Sequence, residues 1–197
     1  MKRKVGIFVF DDAEVLDFAG PFEVFSVASE IHNHTLFEVF LCSEDGGAIT
    51  AVNGLSVNPH YAINNAPQPD ILIIAGGSGS RALLDNEVVK DYVIQTYPRL
   101  ELLLTICSGA RVPAVLGMLD GQPFCTHHQV YAHILELAPS AMPCYDKRFI
   151  GFDNIFTSGG ISAGIDLSFH IVEKLYGSEV ADNTAKYMEY IRHDKTH

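Results

Sequence analysis

No apolar run in this 197-residue chain is long enough to cross a bilayer, which takes about 20 residues, so no membrane association is expected. The basic residues at Met1–Lys4 lead through "VGIFVF" directly into "DDAE". That pattern lacks the apolar core and cleavage site of a secretory signal, and the expected location is cytoplasmic. Positive charge is scarce: 13 Lys and Arg stand against 24 Asp and Glu, a net charge of −11. A surface this acidic repels phosphate backbones, which argues against a nucleic-acid partner. Cysteine is scarce too. Cys42, Cys107, Cys125 and Cys144 include no C-x-x-C pair, and their gaps suit neither a zinc site nor a compact disulfide framework. Cys42, Cys125 and Cys144 read as small buried core residues. The loop "AGGSGS" lacks both the G-x-G-x-x-G spacing and the Lys-Ser/Thr of a phosphate-binding loop, so a nucleotide site is not expected there. His127 and His128 are adjacent and cannot readily converge on one ion, and His133 is out of helical register with both; no metal site is expected. There is no internal repeat, low-complexity tract or long Gly/Ser/Pro linker, and residues 1–197 read as one domain.

What is present is a globular composition, 48% hydrophobic and 19% charged, arranged as alternating strands and helices. "VGIFVF" (Val5–Phe10) reads as a strand. The helical segment after it is interrupted by Gly20-Pro21, with Pro21 expected in the first turn of the main helix. "FEVFLCSE" is a second strand, and residues 48–66, with the Asn53-Gly54 turn, suggest a hairpin. "ILIIAGG" (Ile71–Gly77) is a buried strand followed by a helix from about Ser80 to Gln95. "ELLLTIC" (Glu101–Cys107) is another strand, followed by a helix to about Leu119. "QPFCTHH" is a short strand before a helix near Val130–Leu137. "KRFIGFDNIFTSGG" reads as a strand pair, "GISAGIDLSFHIVEKLYG" as a long apolar helix, and "SEVADNTAKYMEYI" as a final helix with Ser178 as N-cap. Short apolar strands alternating with helices predict a mostly parallel sheet covered on both faces.

In such sheets sites form beyond the carboxyl ends of the strands. Those positions hold Glu14 and Asp17, Gly76 and Gly77, Cys107, then Thr126, His127 and His128, and finally Ser158, Gly159 and Gly160. Cys107 sits where "LLLTI" meets a small-residue turn, so a helix N-terminus is expected to favour its thiolate and draw its pKa from about 8.5 toward roughly 7.5. Ser108 and Gly109 permit a tight turn. The glycine pair Gly76-Gly77 offers backbone N–H groups to a developing negative charge. Asp17 is flanked by Val15, Leu16, Phe18 and Ala19, so its pKa is expected to rise and the acid to share a proton with Cys107 as a coupled pair.

Together, Asp17 in "AEVLDFAGPFEVF", "ILIIAGGSGS", "ICSGA", "CTHH" and "TSGGISAGIDLSFHIVEKLYG" resemble the ThiJ/PfpI superfamily, which includes the Parkinson-associated deglycase, over nearly the whole chain. "LDFAGPFEVF" and "GGISAGIDLSF" look most like its branch of isonitrile hydratases and the sensor-like domains of AraC-type regulators. The resemblance implies a flavodoxin-like α/β sandwich, a single class I glutamine amidotransferase-like domain. It also implies a homodimer and no cofactor. It makes Cys107 the nucleophile and Asp17 its acidic partner. Gly76, Gly77 and Ser108 become substrate or oxyanion contacts, with His127, Glu14 and Gly160 auxiliary. Ser108 keeps the hydroxyl of the threonine usual in isonitrile hydratases; peptidase-like members carry histidine there. Ala75 stands where proline is usual. The helix-turn-helix domain of the AraC-type regulators is not expected within these residues. The activity implied first is hydration of an isonitrile, a small electrophile. The alternatives are glyoxalase- or deglycase-like chemistry on small aldehydes, and a non-catalytic redox or ligand sensor using Cys107.

Overall fold

The computed structural model describes residues 2–192. Its strands are β1 (Arg3–Phe8), β2 (Phe37–Ser43), β3 (Ile49–Thr50), β4 (Ser56–Val57), β5 (Tyr61–Ala62), β6 (Ile71–Ile74), β7 (Leu102–Ile106), β8 (Pro123–Phe124), β9 (Met142–Pro143), β10 (Phe149–Phe152) and β11 (Ile155–Ser158). Its α-helices are α1 (Val15–Glu30), α2 (Glu87–Thr96), α3 (Arg111–Val115), α4 (Tyr131–Leu137), α5 (Ala163–Tyr176) and α6 (Ser178–Tyr187). No helix among the described residues is long and apolar enough to cross a membrane.

Seven strands form one sheet in the order β10-β11-β7-β6-β1-β2-β5. All neighbours are parallel except the β10–β11 hairpin. Val5 lies beside Ile71, Ile71 beside Leu102, and Leu103 beside Ile155, so the apolar runs sit side by side at the centre. Every residue of β6 and β7 is buried. This is why these strands read as unbroken apolar runs: a parallel sheet covered on both faces has no solvent side to alternate with. One helical group, α1 with α5 and α6, packs together; α2, α3 and α4, with the 3-10 turns between them, form the other. The architecture is the expected flavodoxin-like α/β sandwich.

The local differences have specific causes. The helix after β1 is continuous from Val15, and Pro21 lies inside it rather than in its first turn. The stretch expected as one helix over 80–95 is a 3-10 segment (Ser78–Asp85) and then α2, broken at Asn86, whose Oδ1 accepts the Val89 N–H at 3.2 Å. A side-chain cap of this kind starts a new helix instead of continuing the old one. The segment after β7 also opens as a 3-10 turn (Cys107–Ala110), and α3 ends at Val115. The hairpin expected in 48–66 is present as antiparallel β3–β4, with Asn53 and Gly54 both at positive φ. β8 is two residues long and pairs with β9 outside the main sheet. Gly177, with φ 90°, caps α6; Ser178 is the first helical residue and makes no cap bond.

The turn after β7 is pressed against the end of β6. A Cβ on Gly109 would lie 2.4 Å from the Ile74 carbonyl oxygen and 2.8 Å from that of Ala75. Backbone oxygens cannot rotate away, so Gly109→Ala should destabilise the fold by about 1–3 kcal/mol, the usual cost of overpacking. Urea unfolding of the two proteins measures this; equal midpoints would mean the turn has room to spare.

Candidate active site

Cys107 follows β7 directly and takes φ 56°, in the left-handed region that non-glycine residues rarely occupy. Such a conformation costs roughly 1–3 kcal/mol and persists only when neighbours hold it. Here the Cys107 N–H donates to the Gly159 carbonyl at 3.1 Å, and Thr126 Oγ1 donates to the Cys107 carbonyl at 2.7 Å. The bend lifts the thiol from the strand into a cavity of about 290 Å³, yet leaves Cys107 only 7% exposed.

Asp17 lies beneath the thiol, on the first turn of α1, with no solvent exposure. Its Oδ2 accepts the Gly76 N–H and its Oδ1 the Ile161 N–H, each at 3.1 Å, and it also hydrogen-bonds the Cys107 thiol. A Cβ on Gly76 would fall 2.6 Å from Asp17 Oδ2 and 2.7 Å from the Cys107 Cβ. A side chain there would wedge the acid and thiol apart. Burial raises the Asp17 pKa to about 7 against the pull of its three hydrogen bonds, and the nearby charge of Glu14 adds to the rise. The expected rise is therefore present.

The expected fall at Cys107 is not. Burial, then the charge of Asp17, pushes the thiol up to about 12, although the Ser108 N–H hydrogen-bonds the sulfur. The turn that begins at Cys107 is a four-residue 3-10 segment rather than the start of a long helix. Its dipole is too short to outweigh desolvation and a carboxylate neighbour. The resting pair is a thiol hydrogen-bonded to an acid that titrates near neutrality.

The two glycine amides expected to face an oxyanion are occupied within the protein. Gly76 N–H is bound to Asp17, and Gly77 N–H donates to Ser108 Oγ at 2.9 Å. Ser108 Oγ also bonds the Gly77 carbonyl at 2.9 Å and meets Ser80 Oγ at 3.0 Å, so its hydroxyl braces the β6 and β7 loops together. Ser108 nevertheless lines the cavity, as do Gly77, Glu14 and His127. The Glu14 N–H donates to the Gly76 carbonyl at 2.9 Å, fixing the start of α1 against the β6 loop.

Gly160 is a spacer. A Cβ there would lie 2.4 Å from His127 Cδ2 and 3.4 Å from Cys107 Sγ, so its bare backbone lets the ring and the thiol adjoin. His127 Nδ1 accepts the Gln129 N–H at 3.4 Å, which leaves the proton of the neutral ring on Nε2. Burial, then His128, lowers the His127 pKa and favours this neutral form. Of the strand-end residues, Glu14, Gly77, Cys107 and His127 line the cavity, and Asp17, Gly76, Thr126 and Gly160 lie against Cys107. Ile161, Arg111 and Gln129 join them without having been foreseen. Arg111 follows Cys107 by one helical turn, a Cys-x-x-x-Arg spacing visible in "CSGAR". Of the other cysteines, Cys42 and Cys125 are buried as expected, while Cys144 is half-buried. A larger cavity, about 490 Å³, lies against α2 beside Gln68, Tyr92 and Arg99 and contains none of the strand-end residues.

Residues 3–174 match the sequence profile of the DJ-1/PfpI family. The chain belongs to the DJ-1/PfpI family. Among curated DJ-1/PfpI relatives, it is 27% identical over 192 residues to isonitrile hydratase of Pseudomonas putida, covering 96% of this chain and 79% of that enzyme. It is 26% identical over 201 residues to the HTH-type transcriptional regulator GbdR of Pseudomonas aeruginosa. There the match covers 99% of this chain but only 53% of the regulator, about half its length. The crystal structure of Drosophila melanogaster DJ-1beta superposes with a TM-score of 0.85 at 20% identity, covering 97% of this chain and all of that one. The DJ-1/PfpI family thus contains enzymes and regulators on one fold.

Two measurements test the buried pair. A thiolate titration should show Cys107 ionising well above pH 8 in the native protein, and at lower pH in Asp17→Asn, which removes the opposing charge; an unchanged midpoint would disconnect the two groups. Stability supplies the second. The folded-state pKa of Asp17 lies above its ordinary 3.8, so its protonated form stabilises the fold at low pH. That contribution is lost as pH rises toward and through about 7. The stability of wild type relative to Asp17→Asn should therefore decline over this window, measured by urea unfolding at successive pH values.

Proposed function

We propose that this protein hydrates a small isonitrile, R–N≡C, to the N-substituted formamide R–NH–CHO. The observation that carries this reading is the buried Asp17–Cys107 pair at the cavity. The similarity to the Pseudomonas putida isonitrile hydratase supports it. An isonitrile carbon accepts a nucleophile and then a proton at the same atom, and the pair offers both from adjacent groups.

In its ionised form Asp17 takes the Cys107 S–H proton as Sγ bonds to the terminal carbon. It then returns that proton to the same carbon, giving the thioimidate R–N=CH–S–Cys107. Water adds to the thioimidate carbon; one water proton passes through Asp17 to the nitrogen, giving R–NH–CH(OH)–S–Cys107. The C–S bond breaks, the hydroxyl proton returns through Asp17 to sulfur, and the formamide leaves. The cycle ends with the thiol and carboxylate restored and one water consumed. The two backbone N–H donors hold the Asp17 carboxyl in place beside the thiol. In the same site the His127 ring next to the thiol favours a second reading, in which Cys107 adds to a small aldehyde as a hemithioacetal and His127 supplies the proton.

The test is formamide production from a simple alkyl isonitrile. Cys107→Ala should lose turnover, and Asp17→Asn should lose about 10²–10⁴-fold. Because Asp17 must be ionised to act as base, kcat/KM should rise with pH through about 7 and then level off. Full activity in Cys107→Ala would overturn the mechanism. Consumption of methylglyoxal with no formamide from any isonitrile would select the aldehyde reading.

A further inference from the structure

The active-site cavity contains a charge that the proposed chemistry does not use. Arg111 is 4% exposed and lines the same cavity as Cys107. Its Nη1 donates to Ser80 Oγ at 2.6 Å and its Nε to His133 Nδ1 at 2.9 Å. Both partners are neutral: Ser80 is a hydroxyl, and a His133 that accepts at Nδ1 carries its proton on Nε2. Among the described residues, no Asp or Glu forms an ion pair with Arg111. A buried cation without a counter-ion is costly and is ordinarily paired.

The surroundings increase that cost. Arg81 lines the same cavity, and burial followed by the charge of Arg81 lowers the Arg111 pKa, against the opposing pull of Cys107 when ionised. Burial, then Arg111 and Arg81, likewise lowers that of His133, which keeps the imidazole neutral as an acceptor. Glu14 is the carboxylate on the cavity wall, and its charge acts on Asp17 and His127. The cavity lining thus brings one carboxylate, Glu14, and one imidazole, His127, together with two guanidiniums, Arg81 and Arg111. Its volume of about 290 Å³ sits at the lower edge of the range for small-molecule pockets.

We propose that the natural substrate is a small electrophile bearing a carboxylate, which Arg111 binds through the guanidinium donors that Ser80 and His133 leave unused. A planar guanidinium matches a carboxylate with paired hydrogen bonds. The substrate supplies the counter-charge on binding, and its reactive carbon is thereby held over Cys107. Ser80 and His133 are positioning residues for Arg111. This deepens the functional reading in that it takes Cys107 as the reacting group, but it does not depend on which electrophile reacts.

Alkylation of Cys107 separates the two ideas, because it requires no isonitrile turnover. Iodoacetate and iodoacetamide present the same carbon to the thiol and differ in the negative charge. Rates at Cys107 are read by peptide mass analysis. The iodoacetate-to-iodoacetamide rate ratio should fall about 10-fold or more in Arg111→Gln and be only partly restored in Arg111→Lys, which keeps the charge but not the paired donors. In unmodified wild type, propionate should slow iodoacetamide alkylation saturably, and propionamide at the same concentration should not. The wild-type comparison remains decisive even where Arg111→Gln fails to fold. An unchanged ratio in a folded Arg111→Gln, or equal effects of propionate and propionamide, would overturn the proposal. Protection by inorganic phosphate without protection by propionate would overturn the assignment to a carboxylate. Loss of isonitrile hydration with the charge preference intact would overturn only the proposed reaction.

Discussion

One carboxyl group, sealed from solvent, organises this site. Asp17 reaches from α1 to the Gly76 amide 59 residues away in sequence and to the Ile161 amide 144 residues away. Three separate segments converge on two oxygen atoms and a thiol. A buried acid is tolerated only where it is hydrogen-bonded, and each of these partners does double duty. The amides satisfy the oxygens, and the thiol shares the remaining proton position. The elbow at Cys107, the bare backbone at Gly76 and Gly160, and the braced hydroxyl of Ser108 all follow from bringing these groups together without solvent between them.

The chemistry that results is restrained. A thiol pushed up by burial and by a carboxylate neighbour is a poor nucleophile at rest, because the thiolate is the reactive form. The same features slow its reaction with peroxide at rest. In the proposed cycle, reactivity is gated by the state of Asp17 and by a substrate that can use its proton. A fold shared by a hydratase and a transcriptional regulator does not by itself choose between turnover and ligand sensing.

The sheet is legible in the sequence because its central strands are apolar throughout, a pattern that two-sided burial explains. The site is legible because strand ends in a parallel sheet share one crevice, and Asp17 stands out among Val15, Leu16 and Phe18. What stays hidden depends on distances that spacing does not encode. A lowered pKa at Cys107 presupposes a long helix where there is one 3-10 turn. Gly76 and Gly77 read as open donors, but their amides are consumed by Asp17 and Ser108. Arg111 escapes notice because an arginine on a short helix ordinarily faces water, and nothing in "CSGAR" marks this one as buried. The break at Asn86 needs a cap that competes with helix continuation, and a glycine at positive φ takes the capping place expected of Ser178.

At one border of the sheet β5 contributes two residues; at the other β10 contributes four, with Asp146, Lys147 and Arg148 just before it and Asp153 just after. An unpaired strand border is a template on which a second chain can add. Here one border is too short to be copied, and the other is bracketed by charges of both signs that discourage stacking. The innermost strands, with the greatest tendency to aggregate, are thus insulated at both sides, and the protein can keep an all-apolar centre without inviting its neighbours to extend it.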